Sequence, residues 1–186
     1  LALFRDPRSL PALLDVVARG NDTWTSHAAA DALEAIGDPS TFERLAQLAS
    51  WNGREEVNRN AVRALAGSCH PDAARHLMEA FARARHAYTV AAVAGGLATC
   101  GDASLVPALK DIVASDAPRS RREAALRLIG ELGGPDTWSY SQERLDAETD
   151  SRMRRAALSG LTLADSGRVE PLALGILSED EDPEMR

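Results

Sequence analysis

Apolar positions recur along the chain at two nested spacings. Over short stretches they follow helical periodicity: Leu10, Leu13, Val16 and Val17 make one stripe, and Ala29, Leu33 and Ile36 another. Over longer distances whole stripes return after 32 residues. Leu33, Leu65, Leu97, Ile129 and Leu161 form one column, and Ala29, Ala61, Val93, Ala125 and Ala157 a second. A third runs Val17, Ala49, Phe81, Val113, Leu145 and Leu177. A fourth runs Leu13, Leu45, Leu77 and Leu109 before Ser141 breaks it. Columns held in register without an insertion signal a repeat architecture with two helices per unit.

Breakers fall where two helices per unit need them. Gly37-Asp38-Pro39 ends one helix and opens the next, with Gly as the left-handed C′ residue and Pro in the first turn. Gly101-Asp102 and Gly133-Gly134-Pro135 repeat it at the same phase, and Cys69-His70-Pro71 is a copy lacking the glycine. Gly20-Asn21-Asp22, Asn52-Gly53 and Ser115-Asp116-Ala117-Pro118 mark the turns inside units. Ala84-Arg85-His86-Ala87 carries no breaker, so the helices on either side are expected to run together or kink.

First helices are predicted near 8–19, 40–50, 72–84, 104–115 and 137–147, and second helices near 23–36, 55–68, 87–100, 118–132 and 151–164. A sixth first helix covers roughly 169–178. One pair cannot bury its own apolar face, and stacking builds a continuous core. The fold class is therefore all-α, an α-α superhelix of antiparallel helix pairs. It is read as one array over residues 1–186, with five pairs and a truncated sixth. A start without methionine and a stop within a helix-opening pattern read as a fragment of a longer protein.

The second halves, such as Glu55-Glu56-Val57-Asn58-Arg59-Asn60-Ala61-Val62-Arg63-Ala64-Leu65, resemble short bacterial HEAT repeats of the phycobilin-lyase type. Ala28-Ala29-Ala30-Asp31-Ala32-Leu33-Glu34-Ala35-Ile36-Gly37-Asp38-Pro39 resembles them too, and Asp182-Pro183-Glu184-Met185-Arg186 is similar to the helix opening at Asp150-Ser151-Arg152-Met153-Arg154. The resemblance spans the chain and implies a HEAT/armadillo-like solenoid. It also implies a non-catalytic protein–protein interaction scaffold, because the motif is a packing motif. Two other functions come with the likeness. One is a bilin-lyase-like enzyme subunit or chaperone. The other is DNA binding of the HEAT-like alkylpurine glycosylase type, for which Trp24, Asp31 and Arg63 are the right residue types without a residue-by-residue match. HEAT-type iron hydroxylases carry His-Glu dipeptides, and this sequence has none.

In such a solenoid the second helices line a concave groove. At 100° per residue, columns 29, 33 and 36 face the core, and columns 24, 27, 31 and 34 face the groove. The binding candidates are Trp24, His27, Asp31, Arg59, Arg63, Tyr88, Arg127, Arg152 and Arg155. The arginines read either as a docking surface for an acidic partner or as a solvated ladder, with Arg59 near Asp31 and Glu123 near Arg155. Trp24 and Tyr88 read as aromatic anchors, or Trp24 as a cover for the amino-terminal end. Gly95 and Gly96, each costing about 1 kcal/mol in mid-helix, read as tight helix packing or as room for a ligand. Trp51 and Trp138 read as packing residues.

Composition narrows the remaining chemistry. The 186 residues carry a net charge of −7, which argues against nucleic acid as a partner. No apolar run approaches the roughly 18 residues that span a bilayer, and no leader pattern is present, so a cytoplasmic protein is expected. Cys69 and Cys100 stand about one repeat apart, roughly 10 Å, beyond disulfide reach. His27, Asp31 and Glu34 share a helix face but form only a generic polar set, so neither a metal nor a cofactor is expected. No phosphate loop, Cys-x-x-Cys pair or nucleophile elbow appears, so no catalytic residue is assigned. Leu174, Ile176 and Leu177 are expected to leave an uncapped carboxy-terminal edge open to end-to-end self-association.

Overall fold

The computed structural model describes residues 6–50, 54–68, 70–179 and 185. Among them are eleven α-helices and no strand: α1 (Leu10–Arg19), α2 (Thr23–Ile36), α3 (Phe42–Ser50), α4 (Glu55–Gly67), α5 (Pro71–Arg83), α6 (Ala87–Cys100), α7 (Val106–Ala114), α8 (Arg119–Leu132), α9 (Thr137–Ala147), α10 (Ser151–Ala164) and α11 (Ser166–Glu179). Short 3-10 turns precede α1, α3 and α7. The architecture is an all-α solenoid of helix pairs. It divides into two compact units, Leu1–Gly101 and Asp102–Arg186. The first holds the pairs α1/α2, α3/α4 and α5/α6, with α4 packed between α2 and α6. The second holds α7/α8 and α9/α10, with α8 packed on α10 and α11 following α10.

Local chemistry explains the helix ends. Asp22 caps α2 by accepting from the Thr25 amide at 2.8 Å, and Asp150 caps α10 through the amides of Arg152 and Met153 at 2.9 and 3.2 Å. Asp38 and Asp102 open 3-10 turns by accepting from Ser40 and Ser104. Gly37, at φ 61°, is the left-handed C′ residue that the breaker pattern implies. Gly101 differs: its φ of −83° is extended, because the chain passes straight into the turn capped by Asp102. The stretch without a breaker does not fuse or kink its helices. Backbone turns extended at Ala84 (ψ 129°), and α6 starts afresh at Ala87. Ala84 is fully buried beside Ala80 and Phe81, so packing reverses the chain there without Gly or Pro.

The apolar columns build the core. Leu33, Leu65, Leu97, Ile129 and Leu161 are all buried, as are the residues of the 29-column and Val17, Ala49, Phe81, Val113 and Leu145. Leu13 is half-buried at the start of the fourth column. Ser141 is fully buried in that column. A Cβ on Gly160 would lie 3.5 Å from its Oγ, so the close α10 backbone leaves no room for a leucine there.

Polar ties cross the core of the first unit. Ser26 Oγ donates to the Val16 carbonyl at 3.4 Å, and Asn58 Nδ2 donates to the Leu48 carbonyl at 2.6 Å. Each bond joins a second helix to the first helix of its own pair, ten residues back. Thr89 adds a link from α6, donating to Asn58 Oδ1 at 3.4 Å. Arg54 reaches the Arg19 carbonyl and Asn21 Oδ1, pinning the turn of one pair to that of the pair before it.

Several expectations fall on undescribed positions: Trp51, Asn52-Gly53, Cys69 and Asp182-Pro183-Glu184 lie outside the described residues. Cys100 is half-buried at the end of α6. On α11, Leu174 is exposed and Ile176 half-buried, while the side chain of Leu177 lies outside the description.

Candidate functional site

In the first unit, α2, α4 and α6 frame a recess of about 590 Å³. Val62, Ala66, Ala92, Gly95 and Gly96 form its small apolar surface, and Thr23, His27, Glu56, Arg59, Asn60, Arg63 and Thr99 supply its polar groups. The recess follows from what one column lacks. Position 95 on α6 corresponds to Asp31 on α2 and Arg63 on α4, both of which carry long polar side chains. At Gly95 there is no side chain, and a Cβ built there would meet nothing within 4 Å. Gly96 is the opposite case. Its Cβ would stand 2.8 Å from Val62 Cγ1 and 3.2 Å from Leu77 Cδ2, so this glycine serves packing.

Electrostatically this recess is balanced within the unit. Arg63 Nε meets Asp31 Oδ1 at 2.8 Å and Glu34 Oε2 at 4.0 Å. The expected pairing of Arg59 with Asp31 is therefore corrected: Arg63 takes that carboxylate because it stands in the same column one pair on. Arg59 lies a turn earlier and pairs along its own helix, with Glu56 at 3.0 Å and Glu55 at 3.8 Å. Asp31 and Glu34 are thereby turned toward Arg63. Among the described residues no group of three or more His, Cys, Asp or Glu is arranged to hold a metal ion.

The second unit has a smaller recess of about 300 Å³ between α8 and α10, lined by Glu123, Arg127, Arg152, Arg155, Ala156 and Ser159. Arg127 and Arg152 are exposed and make no ion pair with the described residues. Arg119, at the start of α8, pairs with Glu123 at 3.6 Å and Asp150 at 3.2 Å. The Met153 amide, then the Arg152 amide and Arg119, hold the Asp150 carboxyl below the usual carboxylate range.

The candidates named from the sequence thus separate. His27, Arg59 and Arg63 come together in the first recess, and Arg127, Arg152 and Arg155 in the second. Asp31 stands behind the first rim as the partner of Arg63. Trp24, 84% exposed on the first turn of α2, does not line the recess. Nor does Tyr88, which is half-buried and stacks on His86 with ring centroids 5.6 Å apart. Trp138 lies beneath the Arg168 guanidinium, 4.1 Å from the ring centre. Glu56, Asn60 and Thr99 were not singled out from the sequence as binding candidates. Their column positions hold the signal: Glu56 stands in the groove-facing 24-column, and Asn60 and Thr99 each stand beside a residue of such a column.

Helix pairs stacked through buried columns, with polar second-helix faces, define an α-helical repeat protein. Its sequence matches HEAT repeats over residues 44–130 and a PBS lyase HEAT-like repeat over residues 27–50. These matches support a HEAT-repeat family. HEAT repeats generally mediate protein–protein interaction. No curated protein matches the chain, and no helix among the described residues is long and apolar enough to cross a membrane.

Proposed function

We propose that the chain is a non-catalytic scaffold that binds a protein or peptide partner through the exposed face of its second helices. The observation that carries this reading is Gly95. A glycine in a helix interior costs about 1 kcal/mol relative to alanine, and the open space above it offers no packing contact in return. Close approach of a partner accounts for that cost. Around it, small apolar residues ringed by His27, Glu56, Arg59, Arg63 and Thr99 match the apolar centre and polar rim of docking patches. Trp24 and Tyr88 belong to the same reading as flanking aromatic contacts.

Affinity capture from native lysate tests it, with the chain, a Gly95→Leu variant and an Arg59→Glu variant as baits. Arg75→Glu, on the first helix α5, is the control. Partners held by the chain and by the control but lost from the two recess variants support the reading. Equal retention by all four would remove this face from consideration.

A second reading, handling of a bilin chromophore, draws on the PBS lyase HEAT-like repeat at residues 27–50, which includes His27 on the rim. A bilin whose visible spectrum shifts with the chain but not with Gly95→Leu would favour it. An unchanged spectrum would exclude it.

A further inference from the structure

We propose that the α8/α10 recess is an acidic-peptide site in its own right, where Arg127 and Arg152 take carboxylates from an Asp/Glu-rich segment of a partner. The inference rests on the scaffold reading and deepens it by separating the two recesses by charge. In the first, Arg59 and Arg63 are already met by Glu55, Glu56, Asp31 and Glu34. An incoming carboxylate there must displace a resident one. In the second, the single lining carboxylate, Glu123, lies within 3.6 Å of Arg119, which sits outside the lining. Arg127 and Arg152 face solvent without an ion-pair partner among the described residues. A planar guanidinium in that state is suited to two-point recognition of a carboxylate.

Placement along the helices points the same way. Arg152 stands in the first turn of α10, whose N-cap carboxylate, Asp150, is already met by Arg119 at 3.2 Å. The positive end of a helix dipole favours anions, so a cation there reduces helix stability. An anionic partner reverses the sign of that effect. A short peptide fits better than a nucleic acid, because Glu123 lines the recess itself and the chain carries a net charge of −7.

The test is fluorescence anisotropy with a labelled glutamate-rich peptide, its glutamine counterpart, and a labelled oligonucleotide, each titrated with the chain. The glutamate peptide is expected to bind, to weaken as salt rises, and to outbind its glutamine counterpart. An Arg127→Gln/Arg152→Gln variant, exposed and so expected to keep its helical signal and melting temperature, should bind it about tenfold or more weakly. An Arg75→Gln variant, exposed on the first helix α5, should bind it as the unaltered chain does. Equal binding by the double variant, tighter binding of the oligonucleotide, or no binding of the glutamate peptide would each overturn the inference. If the chain still captures partners through the Gly95 recess, the scaffold reading survives that outcome.

Discussion

A Cβ on Gly130 would stand 2.1 Å from the carbonyl oxygen of Gly160, so α8 and α10 meet backbone against backbone. Arg127 lies about one turn before this crossing, and Ser159 stands next to Gly160 on the other helix. The contact therefore sets the spacing of the side chains that line the second recess.

Gly130→Ala should destabilise the second unit by about 1–3 kcal/mol, the usual cost of overpacking, despite a helix-propensity gain of about 1 kcal/mol. Gly95→Ala should do the reverse. Its Cβ enters open space, so the propensity gain stands and stability should rise by about 0.5–1 kcal/mol. Thermal melts of the two variants check both signs together.

Asn58 is fully buried and bonded to the Leu48 carbonyl at 2.6 Å. Asn58→Ala should cost about 1–3 kcal/mol, because it leaves that carbonyl and Thr89 without a bond each and opens a small void. Ser26→Ala removes the matching but longer bond of 3.4 Å to Val16, and should cost under about 1 kcal/mol. Denaturant midpoints at unchanged slope would establish the order, and a larger loss at Ser26 would contradict it.

Acid should loosen the helix starts. Asp22, Asp38, Asp102 and Asp150 are all held below the usual carboxylate range: Asp22 by the Thr25 hydroxyl and amide, Asp38 by Ser40, Asp102 by Ser104, and Asp150 first by the Met153 amide. A depressed folded pKa contributes stability that is complete above the unfolded value of about 3.9. It is lost as pH falls through the lower folded values. Melting temperature should therefore drop below about pH 4. Asp150→Asn keeps a capping residue without a titrating group, so its melting temperature should fall less steeply with acid. Parallel pH profiles would rule this contribution out.

Much of the fold was legible because repeats write burial as columns. Every described residue in the 33-column and the 29-column is buried, and the breaker pattern places most helix ends within two residues. What escaped were events decided by neighbours from other helices. Periodicity placed Arg59 and Arg63 on one face, but not which of them would reach Asp31. Gly95 and Gly96 look alike in sequence, and only Val62 and Leu77 tell them apart. The break at Ala84 has no local signature, since a buried alanine and its packing reverse the chain there. Of the candidate residues, His27, Arg59 and Arg63 line one recess and Arg127, Arg152 and Arg155 the other, while Trp24, Asp31 and Tyr88 line neither. Their division into two recesses of different charge depended on side-chain pairing that one-dimensional spacing does not carry.

The central claim is that partners dock on the second helices. Site-specific photo-crosslinking tests it most directly, with a photoreactive side chain placed in turn at positions 95, 127, 75 and 111. Gly95 and Arg127 lie on second helices, and Arg75 and Asp111 are exposed on first helices. The account predicts protein adducts from positions 95 and 127 and none above background from 75 and 111. Adducts concentrated at 75 and 111 would contradict it and move the docking surface to the opposite face.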